Sequence, residues 1–345
     1  MLNYNIEGLF NKLDYVDFVQ FVNKFDFVCL TETFLNFELN QNVFKDFKLY
    51  NAPARKLSHR GRCSGGTLVM IRKCFEQYFE RVDVKIHNIV ALKMSKALVE
   101  VDRDILVVAG YIPPQDSPAY SESDNVMGIE ILEQCVFELA EDVYIMMCGD
   151  FNARTGSQNS VLDTEEWPRN STDKYFLKRS SQDSVENTSG HHLIDLCNVL
   201  DCCVLNGADS FQFDDAMTFI STTGKSVIDY FVLSNDLCHS GFLSSLKVLE
   251  RIESSHLPVT LDIFIASGGR SDSRSMVQKV EKFVWNKDKE ILFVKELNSA
   301  EMQNTLEQAL HEIPNNVNNA LDLFVNCVTS ASHCMKKTFT VLLHE

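Results

Sequence analysis

Asp150 and Asn152 stand two residues apart at the end of the apolar run Val143-Tyr-Ile-Met-Met-Cys-Gly-Asp-Phe-Asn152. A run of this length bounded by a glycine reads as a buried strand, and side chains two apart on a strand share a face. The carboxylate and the amide therefore project together from the strand end. A carboxylate in such a place binds a metal or polarises a water, and an amide beside it donates to a phosphoryl oxygen; these are the groups that phosphodiester hydrolysis requires. For this pair alone the competing reading is a turn in which Asp and Asn bond their own backbone.

Further strand-like runs end in suitable groups. Met1 to Leu9 carries Asn5 and Glu7 on alternate positions, and Phe27 to Thr33 is an apolar run that delivers Glu32. Ser226 to Leu233 holds Asp229 inside a strand, and Ser254-Ser255-His256 sets a histidine before the next strand, which starts near Val259. Taken singly, Glu32 reads equally as a helix cap, Asp229 as a satisfied core carboxylate and His256 as a structural histidine.

In chain order the motifs are Asn5-Ile-Glu7-Gly-Leu, Thr31-Glu32-Thr33, Tyr111-Ile-Pro-Pro, Gly149-Asp-Phe-Asn-Ala-Arg154, Ser226-Val-Ile-Asp229-Tyr and Ser254-Ser-His256-Leu-Pro-Val. This series, covering residues 1 to about 264, resembles the endonuclease/exonuclease/phosphatase superfamily. Ala153-Arg154, Arg179-Ser-Ser-Gln-Asp183, Asn187-x-x-Gly190 and Leu205-Asn206-Gly207 narrow the resemblance to the apurinic/apyrimidinic-like endonuclease domain of animal non-LTR retrotransposon polyproteins. The Pro-Ala-Trp-Cys-Asp-Arg stretch typical of inositol-polyphosphate phosphatases in the superfamily is absent from the sequence.

The elements that must position these groups are legible from periodicity. Leu13, Val16, Val19, Val22 and Phe25 predict a helix over 11–25, and Ile129, Leu132, Val136 and Leu139 one over 124–140, with a further helix around Leu193 to Cys197. Short strands are predicted at Thr67 to Arg72, Ile89 to Met94, Leu98 to Val101 and Ile105 to Tyr111. Runs of strands punctuated by single helices favour two sheets with helices outside. The resemblance implies an α/β (α+β) fold of that kind, a four-layer αββα sandwich of two packed mixed sheets. Residues 1–264 are expected to form this domain, 265–280 a Gly/Ser-rich linker, and 281–345 a helical extension with Met302, Leu306, Leu310 on one helix and Val317, Leu321, Phe324, Val328, Ala331 on another. In the polyproteins it resembles, such a segment leads to a reverse transcriptase, so the chain is expected to be a fragment that stops short of one. Residues 154–190, rich in Ser, Asn, Asp and Thr, read as a long loop beside the active site.

Composition bounds the setting. The 345 residues carry 32 basic and 48 acidic side chains, and 1–264 alone hold 23 and 38 of them. Dedicated nucleic-acid binders are usually basic, because phosphate neutralisation supplies most of their affinity; an acidic nuclease must rely on local patches. Arg55, Lys56, His59, Arg60 and Arg62 form one candidate, and Arg154, Arg169, Lys178 and Arg179 another. The eleven cysteines follow no metal-ligand or pairing pattern and are expected to be reduced core residues. No run reaches a membrane span, and Met1 opens into a strand in place of a signal peptide, so an intracellular, unsecreted protein is expected, nuclear or cytoplasmic.

The resemblance implies a divalent-metal-dependent phosphodiesterase acting on a DNA substrate, a nicking endonuclease of retrotransposon origin. A hard cation, Mg²⁺ with Mn²⁺ as the alternative, would sit on Glu32 with Glu7 assisting. Asp150 would orient or deprotonate the attacking water; Asn5 and Asn152 would position the metal ligand and the phosphoryl oxygen. His256 would donate to a non-bridging oxygen, held by Asp229. Tyr111 matches the family's phosphate-contacting tyrosine, and Arg154 is the candidate for substrate binding. The roles of Asp150 and His256 as base, acid or stabiliser stay open. At one position the chain departs from the pattern: Ser255 stands where the family has an aspartate before its histidine, which predicts weaker metal binding or turnover. The alternatives are a relative acting on RNA or a phospho-ester small molecule, and a weakened remnant that binds without cutting.

Overall fold

Among the described residues, the apolar runs of the N-terminal part become fourteen strands. In chain order these are β1 (Leu2–Asn5), β2 (Phe27–Thr31), β3 (Phe47–Ala52), β4 (Thr67–Arg72), β5 (Phe79–Val82), β6 (Ile89–Met94), β7 (Ile105–Tyr111), β8 (Tyr144–Asp150), β9 (Cys202–Val204), β10 (Phe219–Ile220), β11 (Lys225–Ser226), β12 (Asp229–Ser234), β13 (Leu243–Val248) and β14 (Val259–Ile263). The helices are α1 (Val16–Val22), α2 (Glu130–Leu139), α3 (Thr188–Val199) and the single turn α4 (Asn235–Cys238). The computed structural model describes residues 1–37, 39, 43–57, 61–84, 86–120, 128–160, 178–238, 240–265, 276–283, 290–312, 323–324, 327–328, 330–331 and 336–343.

Two six-stranded mixed sheets carry the domain, in the orders β13-β14-β1-β2-β4-β3 and β5-β6-β7-β8-β12-β9, with β10 and β11 as a separate hairpin. The predominantly apolar runs β2, β7 and β8 are buried along their whole length, as strands sandwiched on both faces must be. Between the sheets lies a core that includes Cys29, Val69 and Ile71 from one and Val107, Met146, Cys148 and Phe231 from the other. The outer face of the first sheet is covered by Phe18, Phe21 and Val22 of α1. Leu132 and Val136 of α2, with Leu193 and Cys197 of α3, cover the second. The result is the αββα sandwich. Each such large apolar side chain taken from water contributes about 1.5–3 kcal/mol.

Some local expectations are corrected. The helix expected over 11–25 is a 3-10 turn at Phe10–Lys12 followed by α1, and the buried face is Phe18, Phe21 and Val22, while Val16 is exposed. No strand forms at Leu98 to Val101: Lys96–Leu98 is a 3-10 turn capped by the Ser95 hydroxyl, which accepts from Ala97 N. Asp229 opens β12 and does not sit inside a longer strand, because Ser226 ends β11 and the N–H groups of Val227 and Ile228 donate to the Asp183 carboxylate and the Thr218 hydroxyl in place of a sheet partner.

Met1–Ala266 and Ser267–Glu345 are separate compact units. The second unit holds the helices α5 (Glu290–Leu297) and α6 (Ala300–Glu312), the latter carrying Met302, Leu306 and Leu310. It also holds a feature that periodicity did not suggest, an antiparallel pair of β15 (Met276–Phe283) with β16 (Lys336–Leu343). Met276–Phe283 is thus paired strand over its whole length. Phe324, Val328 and Ala331 lie in short helical stretches, while Val317 and Leu321 fall outside the described residues. Among the described residues, no helix is long and apolar enough to cross a membrane.

Candidate active site

The strand directions bring the chemistry to one end of the sandwich. β1 and β2 run parallel, as do β7 and β8, so Asn5, Glu32, Tyr111 and Asp150 all lie at C-terminal strand ends. β12 is antiparallel to β8 with Asp229 opposite Asp150, and β14 is antiparallel to β1, which brings the residues before Val259 past the end of β1. His256 arrives there by this route.

The Gly-Asp pair at the end of β8 needs its glycine for a steric reason. Gly149 faces Gly110 across the parallel pair, and a Cβ on Gly149 would lie 1.8 Å from the Gly110 carbonyl oxygen. Its φ of +152° is also one that side-chain-bearing residues rarely adopt. The Asn3 amide then reaches from the first sheet to donate to Gly149 O at 3.1 Å and Tyr230 O at 3.3 Å, locking the sheets together beneath the site.

Asn5 is the hub of the carboxylates. Its Nδ2 donates to Asp150 Oδ2 at 2.8 Å and to Glu32 Oε2 at 3.2 Å, while its Oδ1 accepts from Glu7 N at 3.1 Å. Asp150 also accepts from Asn152 N through Oδ1 at 3.0 Å. Asn152 donates its side-chain amide to Ile112 O at 3.0 Å and has φ +49°, a conformation Asn tolerates. Tyr111 is buried beside Glu32 and Asp150; burial first, then those two charges and the hydrogen bond to Glu32, push its phenol up, so the hydroxyl stays a donor.

On the other side of the cleft, His256 Nδ1 lies 2.9 Å from Asp229 Oδ2, and its Nε2 3.8 Å from Asp150 Oδ2. Burial alone would lower the imidazole; the charge and hydrogen bond of Asp229, with Asp150 behind, override it and raise the group to about 10. Burial raises the Asp150 carboxyl to about 8, with the Asp229 charge adding to it and His256 and Asn5 opposing.

A divalent cation fits the carboxylates gathered here. Asp229 Oδ1 is buried with no hydrogen-bond partner, an open acceptor beside Asp150. Asp150, Asp229 and His256 offer ligand atoms within 4.8 Å of one another. An imidazole raised to about 10 is protonated at neutral pH and repels a cation. The half-buried Glu32, whose carboxylate faces Asn5 and Tyr111, is the group suited to a hard ion.

The Arg154 guanidinium forms a bidentate pair with Asp183, at 2.8 and 2.6 Å. Arg179 is buried and donates to Asn206 O, Thr155 Oγ1, Gly156 O and Gln158 O. Asn187 caps α3 by accepting from Gly190 N at 2.7 Å and also accepts from Arg154 N at 2.9 Å. Of the second basic cluster, Arg154 and Arg179 are thus paired within the domain, Lys178 is exposed, and Arg169 lies outside the described residues. Of the first cluster, Lys56 and Arg62 are exposed, and His59 and Arg60 lie outside the described residues.

Periodicity missed several residues that shape the site. Thr218 Oγ1 accepts from Ile228 N and Asp229 N, fixing the start of β12. Phe219 packs against the His256 ring at 4.9 Å between centroids. Ser254, two residues before the histidine, accepts from His256 N at 3.2 Å; its place in a Ser-x-His turn was the one sequence signal available.

A model of the Endonuclease/Exonuclease/phosphatase family matches residues 2–255. Among solved structures, a 3′ phosphatase NExo from Neisseria bound to product DNA hairpin is similar at 17% identity, covering 76% of this chain and 98% of that one with a TM-score of 0.50. The AP endonuclease LMAP from Leishmania major is similar at 15% identity, over 75% and 86%, with a TM-score of 0.50. The endonuclease domain of TRAS1, a telomere-specific non-LTR retrotransposon, matches at 16% identity, over 76% and 96%, with a TM-score of 0.47. No curated protein matches the chain.

Proposed function

Because the chain belongs to the endonuclease/exonuclease/phosphatase family, whose model spans residues 2–255, we propose that it is a divalent-metal-dependent phosphodiesterase that nicks DNA, of retrotransposon-endonuclease type. The observation that carries the reading is the convergence at the strand ends of two hydrogen-bonded sets, Asn5 with Glu32 and Asp150 and Asp229 with His256, whose Asp150 and His256 approach to 3.8 Å.

In this reading Asp150, held by Asn5 and by Asn152 N, orients the attacking water for in-line displacement. His256, kept as imidazolium by Asp229, donates to the phosphoryl oxygen whose charge grows in the transition state. Tyr111 donates from the Glu32 side, and Asn152 steadies the Asp150 end of the cleft. Mg²⁺ or Mn²⁺ would be held by Glu32 and would supply neutralisation of the charge on the scissile phosphate.

A nucleic-acid substrate is favoured over a small phospho-ester by the surface next to Glu32. From Arg55 to Arg62 the sequence has four Lys and Arg and no acidic residue. The Arg55–Ser64 backbone pair closes this basic loop at its base, and Thr33 and Phe34 bond to Gly66 O and Gly65 O at its end. Arg62 stacks over Phe34 at 4.2 Å, two residues from Glu32. An otherwise acidic domain thus carries a local polyanion-binding surface at the mouth of the site.

The test is conversion of supercoiled plasmid to nicked circle with Mg²⁺ or Mn²⁺, beside Glu32→Gln, His256→Ala and a Lys56→Glu/Arg62→Glu pair. Nicking that requires metal, vanishes in the two site variants and becomes weaker and more salt-sensitive in the loop pair is the expected result. A folded wild type as inert as Glu32→Gln on DNA, yet active on RNA or a small chromogenic phosphodiester, would move the assignment to those substrates.

A further inference from the structure

We propose that Glu7 is the positioning residue for His256, its carboxylate clamping the Ser254–His256 segment to the end of β1 from across the cleft and standing in for the acid that is missing at Ser255. The inference rests on the functional reading above for its catalytic consequence, but the clamp itself is a matter of geometry.

Glu7 Oε2 accepts from Ser255 N at 2.8 Å and from Ser254 Oγ at 3.1 Å. Ser254 Oγ also lies 2.8 Å from Asn5 O, and a hydroxyl has one hydrogen, so that donation is shared between β1 backbone and Glu7. The same hydroxyl accepts from His256 N at 3.2 Å. On its far side the segment is pinned to β10, with Ile220 N donating to Ser255 O at 2.8 Å and Leu257 N to Thr218 O at 2.7 Å. His256 therefore meets Asp229 from a backbone fixed at two edges, and one of those edges is Glu7.

The Glu7 carboxylate is turned toward the two serines. Where the related pattern has an acid before the histidine, this chain has two small donors matched to an acid that comes from the β1 side. Ser255 is then a partner and not a lost charge. Restoring an aspartate would set two carboxylates against each other at hydrogen-bond distance.

The deciding comparison uses the full chain as wild type, Ser255→Asp, Glu7→Gln, Glu7→Gln/Ser255→Asp, Ser254→Ala and Glu7→Gln/Ser254→Ala. Turnover and KM are read separately in the nicking assay, and melting temperature is read in chelator. Ser255→Asp and Glu7→Gln are each expected to lose about tenfold in kcat with KM unchanged. The Glu7→Gln/Ser255→Asp pair is expected to recover to within a few-fold of wild type. In chelator, Glu7→Gln/Ser254→Ala is expected to lose less in melting temperature than the two single losses added together. Ser255→Asp matching or exceeding wild type, or strict additivity in the melting cycle, overturns the clamp. Should no protein nick DNA, the nuclease reading fails by itself, and the melting cycle in chelator still decides the clamp.

Discussion

His256 Nδ1 and Asp229 Oδ2 are 2.9 Å apart in a buried pair, with Asp229 brought to the place by the first residue of β12 and His256 by the turn before β14. The carboxylate keeps the imidazole charged well past neutrality, raising it to about 10. Asp229→Asn removes the charge and leaves a hydrogen-bond partner of similar shape. The imidazole then returns toward or below its ordinary value, and the fraction charged falls as pH rises through about 6 to 7. The expected outcome is a loss of about 10²–10³ in kcat at pH 8 that shrinks as the assay is moved toward pH 6. A pH–rate profile checks it, and an equal loss at both pH values would remove the imidazolium from the mechanism.

Glu32 Oε2 receives Asn5 Nδ2, which also holds Asp150, so Glu32→Gln changes the cation-binding charge with little change in volume. A ligand that binds only the folded state stabilises it by RT ln(1 + [L]/Kd), about 2.7 kcal/mol at a hundredfold excess over Kd. Wild type is therefore expected to melt several degrees higher in Mn²⁺ or Mg²⁺ than in chelator, and Glu32→Gln to show almost none of that rise. Thermal melts across a cation titration measure it. An undiminished rise in the variant would assign the cation to other ligands.

The sequence made the strand-end residues legible because each of Asn5, Glu32, Tyr111, Asp150 and Asp229 terminates or starts an apolar run, and period-two burial can be read locally. Ile89 to Met94 and Ile105 to Tyr111 were bounded correctly for the same reason. What local pattern does not encode is who meets whom across the sandwich. Arg154 follows the Gly-Asp-Phe-Asn stretch, but its partner Asp183 lies twenty-nine residues further on and meets it only in the fold. Arg179 and Asn187 were conspicuous for the same segment, and their work is backbone capping that no motif spells out. Ser254 and Glu7 are nearly the whole domain apart in sequence, so their bond was invisible until β1 and β14 paired. The strand expected at Leu98 to Val101 failed because Ser95 caps a tight turn there.

Asp183 is buried, accepts Arg154 in a bidentate pair, and accepts backbone N–H groups from Val185 and Val227. Burial would raise its carboxyl, but these donors hold it below the usual carboxylate range. A carboxylate whose folded value lies below its unfolded one contributes stability that is present above the unfolded value, near pH 4, and is lost as pH falls through the folded value. Asp183→Asn is accordingly expected to cost about 2 kcal/mol at pH 7, the scale of a charge-assisted hydrogen bond lost in a partly buried place. That difference should narrow below pH 4 as the wild-type carboxyl is itself protonated. Urea unfolding midpoints of the two proteins at pH 7 and pH 3.5 test it, and a gap that stays constant would mean that the Asp183 charge does not matter.

Gly149 and Gly110 lie face to face on β8 and β7, one residue before Asp150 and Tyr111 in the same register. A Cβ on Gly149 would be 1.8 Å from the Gly110 carbonyl oxygen, which is backbone and cannot step aside. Gly149→Ala must therefore push the two parallel strands apart at the position that aims both Asp150 and Tyr111. The expected cost is about 3 kcal/mol or more, combining a steric clash with a φ that alanine does not adopt cheaply. Where the variant still folds, it should lose nicking far more than Mg²⁺-dependent stabilisation, because Glu32 is carried by the other sheet. Melting curves with and without cation, set beside the nicking rate, separate the two effects; a stable, fully active Gly149→Ala would show that the close approach of β7 and β8 is not needed to build the site.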